Sequence, residues 1–142
     1  TQGVSSAASD VYKRQTLTIG QRARIAGEPQ RYYVARKEAA TRRIVVVPSK
    51  THPMLQCTSL TTSSFAWATG VPALHTQLLA QVRYRQTAVP CFVHDHPTGG
   101  TGHLRITFAP SVEAVAPGQS VALYDKDTCL GSGTIEHVQT MA

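Results

Sequence analysis

The chain has 142 residues, 42% of them hydrophobic and 15% charged, a balance that fits a folded globular domain and not a disordered segment. Fourteen Lys and Arg against eight Asp and Glu leave a formal net charge of +6, which favours a polyanionic partner over an acidic-binding or neutral one. No stretch approaches the roughly 18 apolar residues of a membrane span, so no membrane partner is expected. Cys57, Cys91 and Cys129 are odd in number and form no C-x-x-C pair, which argues against a disulfide framework or a zinc knuckle and for small buried thiols.

The head of the chain stands apart. Ser5 to Gln15 read Ser-Ser-Ala-Ala-Ser-Asp-Val-Tyr-Lys-Arg-Gln, the translation of the transposon-end adapter used in short-read sequencing libraries. Residues 1–15 are therefore expected to be a non-native, disordered head making few tertiary contacts, with natural sequence beginning near Thr16. Thr18 to Arg24 suggests a turn and a short helical piece. Tyr32 to Arg36 and Ile44 to Val47 are β-branched or aromatic runs joined by a charged connection, the pattern of a hairpin. Pro48 to Pro53 closes that unit.

Strand material follows. Thr58 to Trp67 is rich in Ser and Thr and ends before Gly70 and Pro72. Gln77 to Arg85 predicts a strand with Leu79 and Val82 toward one face and Gln81, Arg83 and Arg85 toward the other. Val89 to His94 and Leu104 to Phe108 flank a polar loop. Val112 to Val115, Val121 to Tyr124 and Cys129 to Ile135 complete the series, with turns at Pro117-Gly118 and Asp125-Lys126-Asp127. Six or so short strands at close spacing predict a mainly β chain, folded as a small closed barrel without exposed sheet edges.

Chemistry-bearing residues are few. Arg83 and Arg85 offer guanidinium donors to phosphate oxygens, with Tyr84 between them to stack on a base, although a basic strand face with an inward Tyr84 is the plainer reading. Gln119, in the turn after Pro117-Gly118, carries a neutral amide that both donates and accepts, or simply serves a barrel corner. Gly131-Ser132-Gly133 lacks the Lys and the helix start of a phosphate loop and reads as a strand kink. His94, His96 and His103 surround Asp95 in a polar loop and read as surface histidines, not metal ligands. Phe65 and Trp67 read as core. No residue is expected to be catalytic, and none to hold a metal.

Four blocks in order, Arg83-Tyr84-Arg85-Gln86, Pro90-Cys91, Pro117-Gly118-Gln119-Ser120 and Asp127 to Gly133, resemble the carboxy-terminal β-barrel of the tRNA 2-thiouridylases. Thr18-Ile19-Gly20-Gln21-Arg22, and Tyr32-Tyr33-Val34 with Val45-Val46-Val47, extend the resemblance upstream, from about Thr16 to about Glu136. The resemblance implies a translation-factor-like barrel over residues 52–139, preceded at 16–51 by the end of the family's central domain. It also implies an ATP-dependent replacement of the wobble-uridine C2 oxygen by sulfur. ATP with magnesium would be bound by an amino-terminal PP-loop domain, and sulfur supplied by a persulfide donor protein. The S-G-G-x-D-S loop and the cysteine pair of that domain are absent from this sequence, so the chain alone is expected to be inactive and to bind and position tRNA. The resemblance assigns tRNA contact to Arg83, Tyr84 and Gln119, and less directly to Arg85 and Arg22. Location would be cytoplasmic for a bacterial source and mitochondrial for a eukaryotic one. The rivals are a stand-alone RNA-binding barrel and a protein-interaction module whose basic excess is only surface charge.

Overall fold

The computed structural model describes residues 3–5, 18–23, 27, 31–38, 40–68, 77–83, 86–95 and 103–142. Ten strands and one short 3-10 turn make up two joined units. The first is an antiparallel four-stranded sheet of β1 (Gly3–Ser5), β2 (Arg22–Ala23), β3 (Tyr32–Glu38) and β4 (Arg43–Val47), in the order β1-β4-β3-β2. Its centre is the expected hairpin, with Val34 opposite Val46 and Lys37 opposite Ile44. Side chains alternate across a strand, and both faces of this sheet are covered. Ala35, Val45 and Val47 pack with Met54, Leu55 and Ala114 on one side, while Val34, Ile44 and Val46 are buried on the other. That is why β4 runs apolar without a break, as strands buried on both faces do.

Two expectations are corrected here. Gly3–Ser5, within the head expected to lack structure, pairs with β4 through Gly3–Val46, Val4–Val45 and Ser5–Ile44; residues 6–17 lie outside the described residues. Thr18 to Ala23 contains a turn but no helical piece: Gly20 donates its N–H to the Val34 carbonyl at 2.7 Å, Val34 donates back to Gln21 at 2.9 Å, and the chain continues as β2. Pairing with β3 captures these backbone groups before a helix can use them.

The second unit is a closed antiparallel barrel in the order β10-β5-β8-β7-β6-β9. Its strands are β5 (Gln56–Trp67), β6 (Gln77–Gln81), β7 (Val89–Asp95), β8 (Leu104–Glu113), β9 (Ser120–Asp125) and β10 (Thr128–Thr140). The mainly β, closed-barrel expectation holds. A 3-10 turn, η1 (Pro53–Leu55), leads into β5, its first turn capped by His52, whose Nδ1 accepts from the Met54 N–H at 3.1 Å. Leu60, Phe65, Leu78, Val93, Ile106, Val121, Leu123 and Ile135 fill the interior. Trp67 is half-buried with its ring 4.6 Å from that of Phe65, in keeping with a core role. Thr62 is the buried polar residue of the described chain, and its hydroxyl accepts from the Leu104 N–H at 3.0 Å.

Long strands replace some short ones. Val112 to Val115, expected as a separate strand, is instead the end of β8 and the turn beyond it. The β5–β8 register jumps from Cys57–Val112 to Ser59–Thr107, leaving Pro110 in the bulged segment where its missing N–H takes no ladder bond. In β6 the inward residues are Leu78 and Ala80, continued by Val82; Leu79 shares the outward face with Gln81, correcting the expected facing. The strand also stops at Gln81, so Arg83 sits in the bend after it. Gly131 and Gly133 lie within β10, where a Cβ would come within 2.9 Å and 2.7 Å of the Phe65 ring. No helix among the described residues is long and apolar enough to cross a membrane.

Candidate nucleic-acid interface

Arg83 leaves β6 half-buried and turned toward the small sheet. Its Nη2 donates to the Ile19 carbonyl at 3.0 Å and also to the Ala114 carbonyl, a short contact. Among the described residues its buried Nε–H has no hydrogen-bond partner. The expected free phosphate fork is thus partly committed to the protein itself. Tyr84 and Arg85 lie outside the described residues.

Gln119 follows the turn that Gly118 makes at φ 89°. Its side-chain Oε1 accepts from the Ala116 N–H at 3.2 Å, its own N–H reaches the Ala116 carbonyl at 3.3 Å, and its carbonyl accepts from Ile135 at 2.8 Å. These bonds tie the turn to β10 and fix the amide. Among the described residues its Nε2 makes no hydrogen bond, which leaves both side-chain N–H groups for a ligand.

Two concave surfaces meet at Gln119. One, of about 560 Å³, is lined by Gln81, Val82, Arg83, Gly118, Gln119, Ser120 and Ala122. The other, of about 740 Å³, lies between the small sheet and the barrel. It is floored by Ile19, Ala35, Met54, Leu55, Val115 and Val138, with Arg36, Lys37 and Gln119 also in its wall. The fold therefore brings Arg83 and Gln119, 36 positions apart in the sequence, to one groove, and it adds Arg36 and Lys37 on the far side of Gln119. Arg22, exposed on edge strand β2, lines neither surface.

The cations that sequence reasoning missed have a legible signal. Eight of the fourteen Lys and Arg residues fall between Arg22 and Lys50, where Glu28 and Glu38 are the only carboxylates. Residues 51–142 hold four, Arg83, Arg85, Arg105 and Lys126, against five carboxylates. The basic excess belongs to the small sheet, and the barrel is close to neutral. A charge count by segment would have shown this; a whole-chain count hides it. Arg22, Arg31, Arg36, Lys37, Arg42, Arg43 and Lys50 are all solvent-exposed. Arg36 is paired with Glu38 at 3.2 Å and Lys50 lies 5.5 Å from the Tyr33 ring centre, contacts that are weak at a surface and easily exchanged for a stronger anion.

Nothing in the described chain fits a nucleotide triphosphate. Gly131-Ser132-Gly133 is ladder-paired strand against β5 and β9, with no helix start and no lysine beside it. Nor do the described residues contain a group of three His, Cys, Asp or Glu placed to hold a metal. His94 contacts the Thr107 hydroxyl at 3.1 Å and His103 the Thr62 carbonyl at 3.1 Å, while His96 lies outside the described residues.

Residues 57–135 match the family profile described as the aminomethyltransferase β-barrel domain, a span that runs from β5 to β10 and takes in Arg83 and Gln119. The chain is 40% identical over 129 residues to the tRNA-specific 2-thiouridylase MnmA of Cupriavidus pinatubonensis, covering 86% of this chain and 35% of that protein. It is 41% identical over 126 residues to MnmA of Ralstonia nicotianae, covering 83% and 33%, and 38% identical over 125 residues to MnmA of Alcanivorax borkumensis, covering 87% and 33%. The chain spans about a third of the length of these curated relatives, matching their carboxy-terminal part. With barrel, register and sequence in agreement, the chain belongs to the aminomethyltransferase β-barrel domain family, in the form carried at the carboxy-terminal end of the tRNA-specific 2-thiouridylases.

Proposed function

We propose that this chain is the tRNA-holding part of a 2-thiouridylase, and that its role in sulfur transfer to the wobble uridine is to bind and position the RNA. The observation that carries this reading is the meeting of two concave surfaces at Gln119, one walled by Arg36 and Lys37 and the other by Arg83. Cations flanking a neutral amide suit a phosphate backbone with one polar contact between phosphates: the charges supply affinity, and the amide fixes register. Arg22, Tyr84 and Arg85 join this reading as outer contacts.

ATP with magnesium, and the persulfide protein that delivers sulfur, would engage the part of the enzyme outside this chain. What these residues contribute to rate is orientation, since a substrate held in reacting geometry reaches its transition state with less entropy to lose. The chain alone should neither hydrolyse ATP nor thiolate tRNA.

Binding of unmodified tRNA, followed while salt is raised, tests the proposal. It predicts a log–log plot of affinity against salt that falls linearly, with about 0.7–0.9 in slope for each phosphate neutralised. Absent or salt-insensitive binding would contradict it.

A further inference from the structure

Arg83 has a second role that its place in the groove does not require. Its Nη2 donates to two carbonyls from different units, Ile19 ahead of β2 and Ala114 at the end of β8. Both carbonyls belong to a junction built for close approach. Gly20 adopts φ 87°, and a Cβ there would lie 2.5 Å from the Ala114 Cβ and 3.2 Å from Arg83 Nη2. Ala114 is itself held at φ 59° and donates its N–H to the Leu55 carbonyl at 2.8 Å. A bare glycine, a small alanine in the left-handed region and a guanidinium therefore meet at one point. Ile19 and Leu55 also help to form the 740 Å³ cleft that carries Arg36 and Lys37.

We propose that Arg83 is an inter-unit latch. This positioning residue ties the Ile19–Gly20 turn to the barrel and so holds the basic sheet at a fixed angle to the Gln119 groove, letting one tRNA touch both. The proposal rests on the tRNA-binding reading for its purpose, but the latch itself is a property of the free chain. Two sites held rigidly at the right separation bind one ligand better than the same sites on a loose joint, because the second contact is made at high effective concentration. A latch variant keeps its other phosphate contacts and loses their coordination. A lost direct phosphate contact instead removes one increment of salt slope.

Two variants separate these roles. Arg83→Met removes the guanidinium and keeps a long apolar stem; Gly20→Ala disturbs the same junction from the opposite side without changing any charge. Amide hydrogen exchange on the free chain should show Gly20 and Ala114 losing protection in Arg83→Met, while Ile135, bonded to Gln119 within the barrel, keeps its own. In tRNA binding both variants should lose affinity, by roughly tenfold, with the salt slope unchanged. Unchanged exchange at Gly20 and Ala114 in Arg83→Met would overturn the latch. So would a slope lowered by about one in Arg83→Met together with native affinity in Gly20→Ala. If the native chain binds no tRNA, the functional reading fails, and the exchange measurement alone still decides whether the latch exists.

Discussion

Cys57 and Cys91 are buried in the barrel core, and that burial pushes each thiol up from 9.0 to about 12. Cys129 is exposed on β10. A thiol reagent applied to the native chain near pH 8 should label Cys129 first and spare the other two, because only the thiolate reacts; early labelling of Cys57 would show that the barrel opens. The same shift sets a direction for stability. Below pH 9 the two neutral thiols contribute fully; as pH rises from 9 toward 12 the unfolded chain sheds protons that the native chain retains, so stability falls across that window. Urea midpoints of the native chain and of a Cys57→Ala, Cys91→Ala double variant, compared across the window, should show a shallower fall in the variant. Gln119→Ala is a milder change. It removes a turn acceptor and the free amide together, and should cost about 1 kcal/mol in tRNA binding, the usual net worth of one neutral hydrogen bond, as isothermal titration would read.

At the scale of elements, the closure of the barrel depends on the β5–β10 pair. A Cβ at Gly133 would meet the Phe65 ring at 2.7 Å as well as the Ser64 carbonyl. Backbone cannot yield as a flexible side-chain tip can, so Gly133→Ala should destabilise by about 1–3 kcal/mol or more, read as a lowered Tm. A native Tm would mean that β5 and β10 are not this close. The strands themselves were largely legible: β-branched runs and turn residues marked the hairpin of the small sheet and every barrel strand. What was not legible had local causes. The bulge at Pro110 merges two apparent strands because its register depends on β5, distant in sequence. Leu79 faces outward because neighbouring strands β7 and β9 set the register of β6 at Pro90 and Tyr124. The helical piece expected after Thr18 gave way to pairing with β3, a tertiary bond that no local propensity reports.

At the scale of the whole molecule, the candidate site was half legible. The Arg83 and Gln119 blocks pointed to one surface, and the fold does place both residues on one groove. Sequence could not show that Arg83 spends two donor bonds on carbonyls from different units, since Ile19 and Ala114 are brought together only by packing of the small sheet on the barrel. Nor did the barrel resemblance point to Arg36 and Lys37, which lie outside the matched domain and reach Gln119 across the cleft. The central claim is that the small sheet supplies phosphate contacts beside Gln119 while the barrel supplies the amide. Its most direct test is the salt slope of tRNA binding in two double variants: Arg36→Gln with Lys37→Gln on the sheet, and Arg105→Gln with Lys126→Gln on exposed barrel positions. The sheet pair should lower the slope by roughly 1.5, at ~0.7–0.9 per phosphate, and the barrel pair should leave it unchanged; a slope lowered by the barrel pair and untouched by the sheet pair would contradict the account.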